Sequence, residues 1–94
     1  MATFVMFGKY SAEAMKGLSK DRTAEAAALV AKYGGEIKAA YALLGKTDLL
    51  LIADFPGTAE AMKASLALTK LTGIGFTTSP AITIEELDKL IGEL

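Results

Sequence analysis

The sequence predicts an α+β fold in the order β-α-β-β-α-β, with one further helix at its C-terminal end. Three observations predict it. Two apolar runs, Glu36–Leu44 and Thr47–Phe55, flank Gly45-Lys46, the pattern of a β-hairpin with glycine at the first position of a type II′ turn. A strand-like run and a helical run precede that hairpin, and a helical run and a strand-like run follow it. With 94 residues the chain has room for one domain and one modest core. This order is the split βαβ, or ferredoxin-like, arrangement: an antiparallel sheet with both main helices on one face.

Each element has its own signal. Thr3 to Tyr10 reads as a strand, because Phe4-Val5-Met6-Phe7 is apolar on both faces. Ser11 is a helix N-cap. Met15, Leu18, Arg22, Ala26, Leu29 and Tyr33 then recur at three- and four-residue spacing, one face of a helix. Gly17 and Ser19-Lys20-Asp21 weaken its middle, so a kink or two consecutive helices are expected, and Gly34-Gly35 ends the run. In the hairpin, Leu49 to Ala53 is apolar at every position, which calls for cover on both faces. Pro56-Gly57 stops that strand, and Thr58 caps a helix from Ala59 to about Thr72 that carries Met62, Leu66, Leu68 and Leu71. Gly73 closes it. Gly75 to Ala81 forms the fourth strand, which Pro80 confines to an edge or a strand end. Thr83-Ile84-Glu85-Glu86 is a capping-box pattern that opens a short helix with Leu87, Leu90 and Ile91 on one face.

Composition excludes more chemistry than it suggests. Ten basic and eleven acidic residues give a net charge of -1, with no basic patch to meet nucleic acid. Cysteine and histidine are both absent, which removes disulfides, thiolate chemistry, the commonest general base near neutral pH and the commonest metal ligand. No run reaches the roughly 18 apolar residues of a membrane span. The Met1-Ala2-Thr3-Phe4 start lacks a signal-peptide pattern, and a cytoplasmic location is expected. Apolar residues make up 52% of the chain, and neither face of the first or third strand is polar enough for water. Two sheets packed face to face in a symmetric homodimer are therefore expected.

Four residues are candidate ligand contacts: Tyr41, Asp48, Tyr10 and Lys38. Pairing Tyr41 with Leu50 and Leu43 with Asp48 makes Tyr41 and Asp48 diagonal neighbours, roughly 7–8 Å apart on one sheet face. Ile37, Ala39, Leu50, Ile52 and Asp54 are expected to share that face, where a phenol and a carboxylate among aliphatic groups could orient a small apolar ligand. Lys38 is expected on the opposite face with Ala40, Ala42, Leu49, Leu51 and Ala53, as a snorkelling lysine or one with a lowered pKa. Lys9 and Tyr10 end the first strand, where a ligand could enter between sheet and helix. Met6, Met15 and Met62 are expected as core filler. Gly73-Ile74-Gly75 precedes a strand and lacks a lysine, so it is no phosphate loop. Asp54 has no second carboxylate at ligand spacing in its strand, so neither a metal nor a cofactor is expected.

Phe4-Val5-Met6-Phe7-Gly8-Lys9-Tyr10-Ser11, Tyr33-Gly34-Gly35-Glu36-Ile37-Lys38, Tyr41 with Leu44-Gly45, and Asp48 with its apolar run resemble the GYD-domain family, named for a Gly-Tyr-Asp signature. Gly45 and Asp48 match the signature, whereas Thr47 stands where the family typically has Tyr. The resemblance implies a dimeric α/β-barrel type of assembly, built from paired ferredoxin-like sheets. The expected function is a non-catalytic module of a homodimer or higher homo-oligomer that binds a small molecule or a partner. The alternatives are a cofactor-independent enzyme, monooxygenase- or isomerase-like, on a small apolar substrate, and a structural assembly unit.

Overall fold

The computed structural model describes every residue from Met1 to Leu94. Its elements are β1 (Ala2–Tyr10), α1 (Ala12–Lys16), α2 (Asp21–Lys32), β2 (Glu36–Ala42), β3 (Leu49–Phe55), α3 (Thr58–Thr72), β4 (Ile74–Ala81) and α4 (Ile84–Gly92). The four strands form one antiparallel sheet in the order β2-β3-β1-β4. That is the ferredoxin-like α+β arrangement, and β4, with Pro80, lies at an edge. The first helical run is indeed two helices, separated at Gly17 to Lys20.

One face of the sheet carries the core. Phe4 and Met6 of β1 sit beside Leu51, Ala53 and Phe55 of β3, under Val30 of α2 and Ala61, Ala64 and Leu68 of α3. The Phe4 and Phe55 rings meet edge to face, with centroids 5.9 Å apart, a geometry that contributes about 0.5–1.5 kcal/mol beyond burial. The buried stripe of α3 is Ala61, Ala64, Leu68 and Thr72. Met62 is outside it and exposed, as are Leu66 and Leu71. Met15 is exposed as well, because α1 is a single short turn that buries only Ala14. Of the three methionines expected in the core, Met6 alone is there.

Two glycines shape the chain where it meets this core. A Cβ on Gly35 would stand 2.5 Å from two carbons of the Phe55 ring and 2.9 Å from the Asp54 carbonyl oxygen, so the entry to β2 has no room for a side chain. Gly73 adopts φ 77° at the C-terminal cap of α3, the left-handed conformation that glycine tolerates. Beside it, the buried Thr72 hydroxyl donates to the Leu68 carbonyl (2.7 Å) and accepts from the Ile74 N–H (3.1 Å). The turn into β4 therefore leaves that hydroxyl satisfied.

Three local expectations are corrected. The hairpin closes on the Leu43 N–H to Asp48 carbonyl bond (2.9 Å) and not on a two-residue Gly45-Lys46 turn. Asp48 is anchored instead to β1, its N–H donating to the Gly8 carbonyl at 2.8 Å, and this fixes where β3 begins. Gly57, not Thr58, is the N-cap of α3, and no side chain caps that helix. The third correction is a β-bulge. Ile37 pairs with Ala53 and Ala39 with Ile52, so β2 advances two residues where β3 advances one.

α4 follows the capping pattern: the Glu86 N–H donates to the Thr83 hydroxyl (3.1 Å), which in turn donates to the Glu86 carboxylate (3.2 Å). None of its residues is buried. No helix is long and apolar enough to cross a membrane.

Candidate functional site: a cavity between the sheet and α2

The helix-covered face of the sheet is not packed throughout. A cavity of about 250 Å³ lies between the strands and α2. Its floor is Leu49 and Leu51 of β3, Ile37 and Ala40 of β2, and Ile74 and Phe76 of β4. Its roof is Ala26 and Ala27 of α2, with Leu68 of α3 at the side. Small side chains create the space: Ala26 and Ala27 face Ala40 where larger groups would close the gap.

The polar groups gather where β1 ends, α2 begins and α3 ends. Tyr10, Ser19, Arg22, Thr23 and Thr72 line the cavity there. Arg22 spans two helices: its Nη1 donates to the Ala14 carbonyl of α1 (3.1 Å) and the Thr72 carbonyl of α3 (3.3 Å). Those carbonyls lie at helix C-terminal ends, where a cation is favoured. Gly17 makes room for the guanidinium, since a Cβ there would stand 2.4 Å from Nη2. No carboxylate lies within ion-pair distance of Arg22, because the ion pairs of this chain involve only Lys9 and Lys38.

The four residues singled out from the sequence do not converge. Tyr10 lines the cavity at the end of β1. Asp48 lies behind it: its Oδ2 accepts the Tyr10 backbone N–H at 2.8 Å and stands 3.9 Å from Lys9 Nζ. Tyr41 is on the uncovered face opposite Leu50, as the register reading holds, and is 58% exposed. The partners of the Asp48 carboxylate are thus Tyr10 and Lys9, and the phenol of Tyr41 shares no bond with it. Lys38 departs from expectation. The bulge turns it toward the uncovered face, where its Nζ stands 3.7 Å from Glu36 and 4.0 Å from Asp54. The same bulge turns Ile37 the other way, into the cavity, although uninterrupted alternation places it beside Tyr41.

Asp54 accepts a 2.7 Å hydrogen bond from the Thr3 hydroxyl. No group of three or more acidic, His or Cys residues is placed to hold a metal ion. The residue that sequence reasoning passed over is Arg22, counted among the members of an apolar helix face. A lone guanidinium within the run Leu18, Arg22, Ala26, Leu29 is the signal that could have marked it.

Residues 4–91, nearly the whole chain, match the model of the GYD domain. Among curated proteins, a search found none that matches the chain.

Proposed function

Since the chain belongs to the GYD domain family, we propose that it is a non-catalytic module that holds a small, largely apolar molecule between its sheet and α2. The cavity carries this reading. At a close-packed density of about 0.75, 250 Å³ accepts a molecule on the order of ten non-hydrogen atoms. Eleven of the fifteen lining residues are hydrophobic, Tyr10 among them, and the polar groups gather at one end, the usual design of a small-molecule site. The lining holds no carboxylate or lysine, and its hydroxyls have no base beside them, so binding is better supported than acid–base or nucleophilic turnover. The test is an amide chemical-shift titration with indole, an uncharged probe of about this size. Saturable shifts at Ala26, Ala40 and Leu51, abolished in an Ala40→Phe variant that fills the space, are expected. Shifts that are absent, or that survive Ala40→Phe, refute the reading.

We propose further that a second copy of the chain covers the uncovered face of the sheet. There Val5 pairs with Ile52 and Phe7 with Leu50, and Ala39 and Tyr41 continue the patch onto β2. Phe7 is 39% exposed. Charges of both signs ring this centre, with Lys9 and Asp48 at one end and Lys38, Glu36 and Asp54 at the other. An apolar centre with both signs on its rim is self-complementary across a two-fold axis. Light scattering at micromolar concentration is expected to give a dimer mass, and Ile52→Asp a monomer. A monomer mass for the wild-type chain refutes this arrangement.

A further inference from the structure

We propose that the molecule held in the cavity is an anion, an apolar body ending in a carboxylate, and that Arg22 binds that group. The inference rests on the cavity reading above and adds the chemical class of the ligand. Arg22 carries the only formal charge in the lining. Of the five guanidinium donors, the two on Nη1 are taken by the Ala14 and Thr72 carbonyls. The Nε–H and the Nη2–H groups make no hydrogen bond within the chain. Those two nitrogens form the side-on edge of the guanidinium, the geometry that accepts both oxygens of a carboxylate at once.

Three further observations agree. The anchoring of Nη1 to two helix ends fixes the fork in place, so little side-chain freedom remains to be lost on binding. Gly17 lets the guanidinium pack directly against the backbone, since a Cβ there would stand 2.4 Å from Nη2, which further fixes its position. Ser19, Thr23 and Tyr10 add hydroxyls to the same end of the lining, and these can donate to an anion. A half-buried cation in an apolar wall, with no carboxylate of its own chain beside it, selects an anionic partner over a neutral one.

The experiment compares two isosteric probes, 3-phenylpropanoate and 3-phenylpropanamide, by amide chemical-shift titration near neutral pH. The carboxylate is expected to bind at least tenfold more tightly than the amide, with shifts centred on Arg22, Thr23, Ala26 and Ile74. Arg22→Gln is expected to erase that preference. Because this change also removes the bonds to Ala14 and Thr72, Arg22→Lys serves as a second variant. It keeps a charge without the fork and is expected to retain only part of the preference. Equal affinity for the two probes in the wild-type chain overturns the proposal while leaving the cavity reading intact. Carboxylate-induced shifts confined to Lys9, Lys38 or other surface lysines also overturn it. Failure of indole to shift the cavity amides removes the cavity reading, and this inference with it.

Discussion

Replacing Asp48 with alanine removes the acceptor that holds the end of β1. Its carboxylate takes the Tyr10 N–H at 2.8 Å, across a sequence separation of 38 residues, in a partly buried position. A backbone donor stripped of its partner there costs about 1–3 kcal/mol, and partial solvent access favours the lower half of that range. For a domain of this size each kcal/mol lowers the thermal midpoint by roughly 4–8 °C, so Asp48→Ala is expected to melt about 4–16 °C below wild type. The ion pair to Lys9 contributes little of this, since Lys9 is 63% exposed and its Nζ stands 3.9 Å away. Lys9→Ala is therefore expected within about 0.5 kcal/mol of wild type. Asp48→Asn keeps an acceptor oxygen and is expected to recover about half the loss, because a neutral acceptor is roughly half as strong as a charged one. The assay is thermal and urea unfolding of all four chains at one protein concentration, since self-association would shift every midpoint. A wild-type midpoint for Asp48→Ala refutes the reasoning, as does a Lys9→Ala loss equal to that of Asp48→Ala.

Three further outcomes follow from the packing. Gly35→Ala is expected to cost about 1–3 kcal/mol in urea unfolding, because its Cβ meets the Phe55 ring and the Asp54 carbonyl, and backbone cannot move aside cheaply. Leu68→Ala empties a site that is 1% exposed and is expected to cost about 2–5 kcal/mol; the same unfolding curves measure it. Thr83→Ala removes the α4 cap, worth about 0.5–2 kcal/mol to that helix. Because α4 buries nothing in the core, the loss is expected as faster amide exchange within Ile84 to Gly92, with the global midpoint unchanged.

Element order was legible because each segment carries its own periodicity and punctuation. The capped turns at Ser11 and Thr83 and the glycines at 34 and 73 all mark real boundaries. The register of the hairpin near its loop was legible too, and Tyr41 does oppose Leu50. What alternation could not reveal is the added residue between Ile37 and Ala39, since nothing in Ile-Lys-Ala distinguishes a bulge from an even strand. Ile37 and Lys38 were consequently assigned to the wrong face. The cavity was hidden for a different reason: empty space comes from three-dimensional opposition of small residues, and Ala26 and Ala40 are distant in sequence. Tyr10 was found because strand ends are recognisable. Arg22 was missed because its helical spacing placed it among core positions, and only its bonds to Ala14 and Thr72 show what it holds.

The bulge also decides what stands beneath α2. Ile37 points inward, and strict alternation from it would send Ala39 and Tyr41 inward next. With the added residue, Ala40 and Ala42 take those places, and the phenol of Tyr41 goes to the other side of the sheet. An even strand that kept Lys38 in the ladder would thus exchange a methyl floor for an aromatic ring and plug the chamber with the protein's own side chain. Whether one backbone unit stands outside the ladder or within it is the difference between a hollow molecule and a solid one.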